Sequence, residues 1–314
     1  MPSSKKRTVR KVLADGTVRT YEYDRTPAPR QPRVAPESVE ALLNAYCRSQ
    51  EWEGLAPASR MLYGVYHRDI RKFGALTIGD VTRRFILEFR DAIASRSGVG
   101  AANAFTRTLG ALFAWAVKRE RIEHNPTAKI GHLKGGTLPA WTAEEAERAI
   151  QVLPTPLARA VLLARYTGQR RSDLVQMTWA AWDGSSIRLT QGKTGTSLVI
   201  PAHRRLRAAL TEWRTEPDRG LFILRQETNR PWLPGSLTGR MREALAEHGF
   251  REGINVHGLR KLAATELAEA GCSALEIQAI TGHASLAMVS LYTRSADQQR
   301  LARAAVVRLE KLPR

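Results

Sequence analysis

Four separated stretches carry side chains that bind or transfer phosphate. In Thr167-Gly168-Gln169-Arg170-Arg171-Ser172-Asp173-Leu174 a glycine can end one helix just before another begins. Arg170 falls at that turn, where a guanidinium can reach out of the domain. Asp173, three positions on, shares its face in a helix and can orient an arginine. Lys193 lies in Gly192-Lys193-Thr194-Gly195, the tip of an expected hairpin, where an ammonium can approach a backbone and hand over a proton. His257-Gly258-Leu259-Arg260 opens a helix, and its histidine and arginine are spaced to face one ligand. The N-terminus of that helix also favours an anionic oxygen. Thr281-Gly282-His283-Ala284-Ser285 is followed by a helical stretch ending at Tyr292.

His283 and Tyr292 are nine positions apart. On one continuous helix, nine steps of about 100° would put them on opposite faces. Gly282 and the N-cap candidate Ser285 imply a break near His283, after which the pair can converge. Each stretch alone also has an ordinary reading: a capped helix with surface charges, a turn lysine, a capping histidine, a packing tyrosine. Together they match one chemistry. A phosphodiester is a poor electrophile because its negative charge repels nucleophiles. Arg170 and Arg260 can clamp the non-bridging oxygens, and Tyr292 can attack phosphorus to form a covalent ester. That ester conserves the bond energy, so rejoining needs no ATP, and no P-loop is present. The histidines are accompanied by arginines rather than Asp or Glu, so neither metal nor other cofactor is expected.

These residues need elements to hold them. Asp15-Gly16 between two β-prone runs, Thr8–Leu13 and Thr17–Tyr23, predicts a hairpin, followed by a Pro-rich linker over Pro27–Pro36. Ser38 can cap a helix that carries Val39, Leu42, Leu43 and Tyr46. Further helices are expected over 58–73, from 82 with Phe85, Phe89 and Ile93 as its stripe, and over 101–119. Asn125-Pro126 ends this bundle. Beyond it, helices are expected at 143–152, 156–167, 203–214, 236–248, 258–270, 273–280 and 286–292, with a terminal one from about 296. Two strands, 187–190 and 198–200, flank the Lys193 turn. The expected class is therefore mainly α with a small antiparallel β-sheet (α+β).

With 314 residues, 43% of them hydrophobic, the chain can build two cores. The balance of 49 Lys+Arg against 30 Asp+Glu, +19, excludes few partners but strongly favours a polyanion, nucleic acid before membrane surface. No apolar run is long enough to span a bilayer, and no secretory signal is read at the start. Cys47 and Cys272 are far apart, which fits a reducing, intracellular setting.

The order Arg, Lys, His-x-x-Arg, His, Tyr, carried by TGQRRSDL, GKTGT, HGLR and GH with Tyr292 nine residues later, resembles the signature of the tyrosine site-specific recombinases, the phage-type integrases. The resemblance covers about 140–295, with Asp173 where Glu is commoner. It implies a DNA breaking-rejoining fold with a 3′-phosphotyrosyl bond and a free 5′-hydroxyl. By the same resemblance Lys193 protonates the leaving oxygen, His257 assists proton transfer, His283 hydrogen-bonds the phosphate and Asp173 supports the site. The expected organisation is a basic extension at 1–35, which the resemblance does not cover, and a helical unit at 36–124 that resembles a core-type DNA-binding domain in length, order and helicity. A linker at 125–137 and a catalytic domain at 138–314 follow, and the segment from Ser295, rich in Leu, Ala and Val, is a candidate for docking on a neighbour. Implied partners are double-stranded DNA, three further copies in a homotetramer on paired sites, and an accessory DNA-bending protein, in a cytoplasmic, nucleoid-associated setting of bacterial or phage type. Two alternatives stay open: a type IB topoisomerase-like relaxing enzyme and a non-catalytic DNA-binding regulator.

Overall fold

The computed structural model describes residues 6–13, 15–24, 37–136 and 138–310. The proposed linker at 27–36 lies outside them. The chain divides into two compact units, Met1–Gly136 and Thr137–Arg314.

The first unit begins with β1 (Lys6–Val12) and β2 (Val18–Asp24), paired antiparallel from Lys6↔Asp24 to Val12↔Val18. The Asp15 carboxylate accepts the Thr17 N–H at 3.0 Å, which closes the turn where the sequence placed it. Five helices follow: α1 (Val39–Tyr46), the single turn α2 (Gln50–Glu53), α3 (Pro57–Arg71), α4 (Arg83–Ser97) and α5 (Val99–Lys118). Ser38 caps α1 through the Ala41 N–H. The buried face of α1 is the expected Val39, Leu42, Leu43 and Tyr46. On α4 the fully buried residues are Ile86 and Ile93, while Phe85 and Phe89 are half-buried. Their rings instead meet Phe73 edge-on at 5.1 and 5.0 Å, so the aromatics seal the side of the core. Residues 125–133 run along this bundle: Asn103 exchanges hydrogen bonds with Leu133, and Ile130 and Leu133 pack on the core.

The second unit contains α6 (Ala143–Val152), α7 (Thr155–Thr167), the single turn α8 (Arg171–Leu174), β3 (Ser186–Thr190), β4 (Ser197–Pro201), α9 (Arg204–Arg214), α10 (Pro234–Glu247), α11 (Val256–Glu269), α12 (Ala274–Thr281) and α13 (Leu286–Glu310). β3 and β4 pair antiparallel from Ser186↔Pro201 to Thr190↔Ser197. The core packs α6, α7, α9, α10 and the first half of α11 around Leu163, Leu210, Leu237 and Leu259. Each fully buried Leu of this kind contributes roughly 1.5–3 kcal/mol. A smaller cluster of Ala264, Ala268, Ile277 and Val289 joins α11, α12 and α13. The expected pair of C-terminal helices is one helix, α13. Its sequence from Leu286 to Glu310 holds neither Gly nor Pro, and Ser295 alone does not stop a helix. Among the described residues no helix is long and apolar enough to cross a membrane.

Candidate active site

The site is assembled where α7, α11 and α12 end or begin against one another. Gly168 ends α7 and Gly282 ends α12, both left-handed at φ 62° and 66°. A Cβ on Gly168 would lie 2.9 Å from Thr281 Cγ2, and one on Gly282 would collide with the Gln191 side-chain amide. Two helix ends and the β3–β4 turn can therefore meet only because these positions are glycine.

Arg260 lies in this junction, 2% exposed. Its Nη1 donates to the carbonyls of Gly168 at 2.7 Å and Thr281 at 2.6 Å, while the buried Nη2 has no hydrogen-bond partner. Burial, and then the nearby Arg170, lower it to about 10, offset by Tyr292 and Asp173. The guanidinium thus keeps its charge at neutral pH and has no carboxylate bonded to it.

Arg170 does not reach out of the domain as expected. Its side chain is 17% exposed and folds inward, because the buried Gln191 Oε1 needs a donor and takes its Nη1 at 2.7 Å. Asp173 stands 3.9 Å from that Nη1. Its Oδ1 accepts the Gly192 N–H at 3.1 Å, so the carboxylate also anchors the Lys193 turn. Lys193 is exposed on that turn. Arg170, Lys193 and His257 line one cleft of about 440 Å³.

His257 lies in the first turn of α11, but the helix N-terminus is not fully free for an anion. Asn255, a strong N-cap, takes the N–H groups of His257 and Gly258 at 2.9 and 3.2 Å. Part of the His257 ring faces solvent. The packed protein around the rest, followed by Arg260, Lys261, Arg170 and Lys193, holds it below the usual histidine range.

His283 is buried, and its ring centroid lies 5.7 Å from that of Tyr292. The break at Gly282 thus brings the pair together, as the spacing required. Burial, then Arg260, Arg170 and His257, lower His283 to about 4. Thr281 Oγ1 spends its one hydrogen on Ile277 O at 2.6 Å, so its 2.6 Å contact with His283 Nδ1 needs the ring to donate. The neutral ring accordingly carries its lone pair on Nε2. Tyr292 is half-buried against the small cluster beneath α13.

The six residues chosen from the sequence therefore converge, with Arg260 and His283 deeper than expected. Sequence reasoning gave no role to Gln169 and Gln191, both 0% exposed. One signal was available: period two along β3 places Gln191 on the inward face with Ile187 and Leu189. Among the described residues no three His, Cys, Asp or Glu side chains are grouped to hold a metal ion.

A helical unit followed by a mixed unit with this junction defines a class. The phage integrase family model matches residues 140–299, just over half of the chain. The tyrosine recombinase XerA of Pyrococcus furiosus is 27% identical over 264 residues, 81% of this chain and 89% of that protein. The tyrosine recombinase XerC of Mycobacterium tuberculosis is 29% identical over 233 residues, 66% of this chain and 78% of its own. A lambda integrase tetramer bound to a Holliday junction superposes with a TM-score of 0.72 at 23% identity, over 86% of this chain and 81% of that one. The chain belongs to the phage integrase family. It is an enzyme of the tyrosine recombinase class, and site-specific DNA recombination is its activity.

Proposed function

We propose that Tyr292 is the nucleophile with which this chain cuts and rejoins duplex DNA, and that Arg170, Lys193, His257, Arg260 and His283 complete the site. The observation that carries this reading is Arg260: a buried, charged guanidinium with an unpartnered Nη2, beside a tyrosine and away from any carboxylate bonded to it. A buried donor of that kind calls for an anionic oxygen.

Arg260 and Arg170 hold the non-bridging oxygens of the scissile phosphate. Tyr292 Oη attacks phosphorus while its proton passes to His257, and the bond from phosphorus to the 5′ oxygen breaks. Lys193 protonates that leaving oxygen, and a 3′-phosphotyrosyl bond with a free 5′-hydroxyl remains. The phosphate charge favours proton uptake at His283 Nε2, which then donates to a non-bridging oxygen. Rejoining runs the same steps backward without ATP or metal. Asp173 supports the site through the Gly192 amide.

The same reading covers the organisation. Residues 1–35 are a basic extension, 36–124 a core-type DNA-binding domain, 125–137 a connector and 138–314 the catalytic domain, with the end of α13 docking on a neighbour. Joining two sites takes four nucleophiles, so the working form is a homotetramer on DNA, assembled in the cytoplasm on nucleoid DNA with an accessory bending protein. The relaxing-enzyme and regulator readings are not favoured, because the curated relatives are recombinases.

The test is a covalent adduct on nicked duplex DNA, resolved on a denaturing gel in excess EDTA. The unaltered chain forms it. Tyr292→Phe binds the same DNA and forms none, since only the hydroxyl is removed. An undiminished adduct from Tyr292→Phe removes the nucleophile assignment.

A further inference from the structure

Gln191 is 0% exposed and sits between three parts of the site. Its Oε1 accepts from Arg170 Nη1 at 2.7 Å and from Thr194 Oγ1 at 2.9 Å. Its Nε2 donates to Gln169 Oε1 at 2.6 Å and to Thr281 O at 2.8 Å. Its backbone closes the Lys193 turn: the Gln191 N–H donates to Thr196 O at 2.9 Å, and Gln191 O accepts the Gly195 N–H at 2.8 Å. The carboxamide is thereby fully bonded on both ends. Asp173 also links the two, through its 3.9 Å ion pair with Arg170 Nη1 and the Gly192 N–H at 3.1 Å, and Gln191 adds the shorter, direct hydrogen bond to the guanidinium. Gln169 in turn donates to Thr167 O and Ile280 O, both at 2.9 Å, and ties this unit to the ends of α7 and α12.

We propose that Gln191 is a positioning residue that sets the Arg170 guanidinium and the Lys193 turn in register with each other and with the loop leading to His283. The proposal rests on the roles given above to Arg170 and Lys193. Its chemistry requires an amide. An acid at this position offers no donor to Gln169 Oε1 and Thr281 O, and an amine offers no acceptor to Arg170. The direction of the bonds also fixes which Arg170 nitrogen is occupied: Nη1 is held by Gln191, which orients the rest of the guanidinium. Thr194 Oγ1 reports to the same oxygen, so a displacement of the Lys193 turn and one of Arg170 act on a single atom. The phosphate clamp and the proton donor thus share one buried carboxamide, beside the longer-range link through Asp173, rather than being placed independently.

The experiment uses the full chain and two nicked duplexes, one ordinary and one with sulfur at the 5′ bridging position. A sulfur leaving group needs no proton donor, so it removes the demand on Lys193. Gln191→Met keeps length and volume and removes all four side-chain bonds. Adduct formation on ordinary DNA is expected to fall about 10²-fold, the scale of an ångström of misplacement, with DNA affinity within about threefold. On the sulfur duplex the loss shrinks to about tenfold, and in an Arg170→Ala background Gln191→Met likewise costs about tenfold or less. A side chain that only stabilises the fold would give the same loss on both duplexes and in both backgrounds, and that result overturns the proposal. So does a wild-type rate from folded Gln191→Met. If Gln191→Met loses its cooperative melt, Thr194→Val decides: the rate falls several-fold on ordinary DNA and not on the sulfur duplex, and equal rates overturn the coupling. A chain that forms no adduct unaltered overturns the functional reading and this inference together. An unaltered chain with an adduct that Gln191→Met matches overturns this inference alone.

Discussion

His67 in the first unit and His283 in the second are equally deep, 5% and 4% exposed, and both are lowered to about 4. Burial is the first cause in each case. Their surroundings differ. The His67 ring lies tilted with its centroid 5.0 Å from that of Trp52, its Nδ1 is 3.7 Å from Cys47 Sγ, and its Nε2 has no partner. Arg71 is the one charge that adds to its shift. His283 has its Nδ1 bonded to Thr281, a tyrosine ring beside it, and Arg260, Arg170 and His257 around it. A buried neutral histidine therefore does not by itself mark a site; the neighbours do. In the first unit such a group is a tolerated polar atom in an aromatic core, and in the second it belongs to a charged junction.

The widest separation between the two should appear in chemistry. His283→Phe is expected to slow adduct formation about 10²-fold, the scale of removing a proton-handling group, while His67→Leu stays within about twofold. Equal effects, measured as single-turnover rates on nicked DNA, would break the contrast.

Next in size is an effect the two should share. Each folded value lies below the usual 6.5, so the unfolded chain binds more protons between pH 6.5 and about 4. Stability is then fully present above about pH 6.5 and declines as the pH falls toward 4. Melting temperatures should drop across that window. His67→Leu should flatten the slope, and at pH 7 it should raise the melting temperature slightly, because an unpartnered buried nitrogen is removed. A slope unchanged by His67→Leu would show that the first unit does not titrate this way.

The pattern was legible in the sequence to different depths. Helical stripes and turn residues located α1, α3, α5 and the β3–β4 pair, since these obey local periodicity. The candidate site residues were legible as types in order. Their depth was not. Arg260 reads as the exposed arginine of a helix start, and it is buried because Gly168 and Thr281, 92 and 21 positions away, offer it carbonyls. Gln191 was given no role, and three of its four partners, Gln169, Arg170 and Thr281, come from two distant segments, with Thr194 from its own turn. Long-range pairing of polar groups leaves no periodic trace. The continuity of α13 was also missed: a helix over 286–292 and a second from about 296 were expected, although no Gly or Pro separates them.

The smallest expected effect concerns residues 1–35, which carry nine Lys/Arg against three Asp/Glu. If chemistry resides wholly in the second unit, deleting them leaves adduct formation on saturating nicked DNA intact. Binding to long DNA should weaken, and the slope of log affinity against log salt should fall by roughly 0.9 for each phosphate that the shortened chain no longer neutralises. Affinity and slope both unchanged would show that this segment touches no phosphate, and an absent adduct would place it in the catalytic assembly.

The uninterrupted α13 makes a lever of the helix that carries Tyr292, the proposed nucleophile. Tyr292 sits about 9 Å from the Leu286 end and Glu310 about 36 Å from it, at 1.5 Å per residue. Pivoted at Leu286, a 4 Å swing of the far end displaces the tyrosine backbone by about 1 Å, a shift that can change a reaction rate 10²-fold. Whatever grips the last turns of α13 therefore acts on Tyr292 with fourfold gearing, and small movements at the far end are enough to advance or withdraw its hydroxyl.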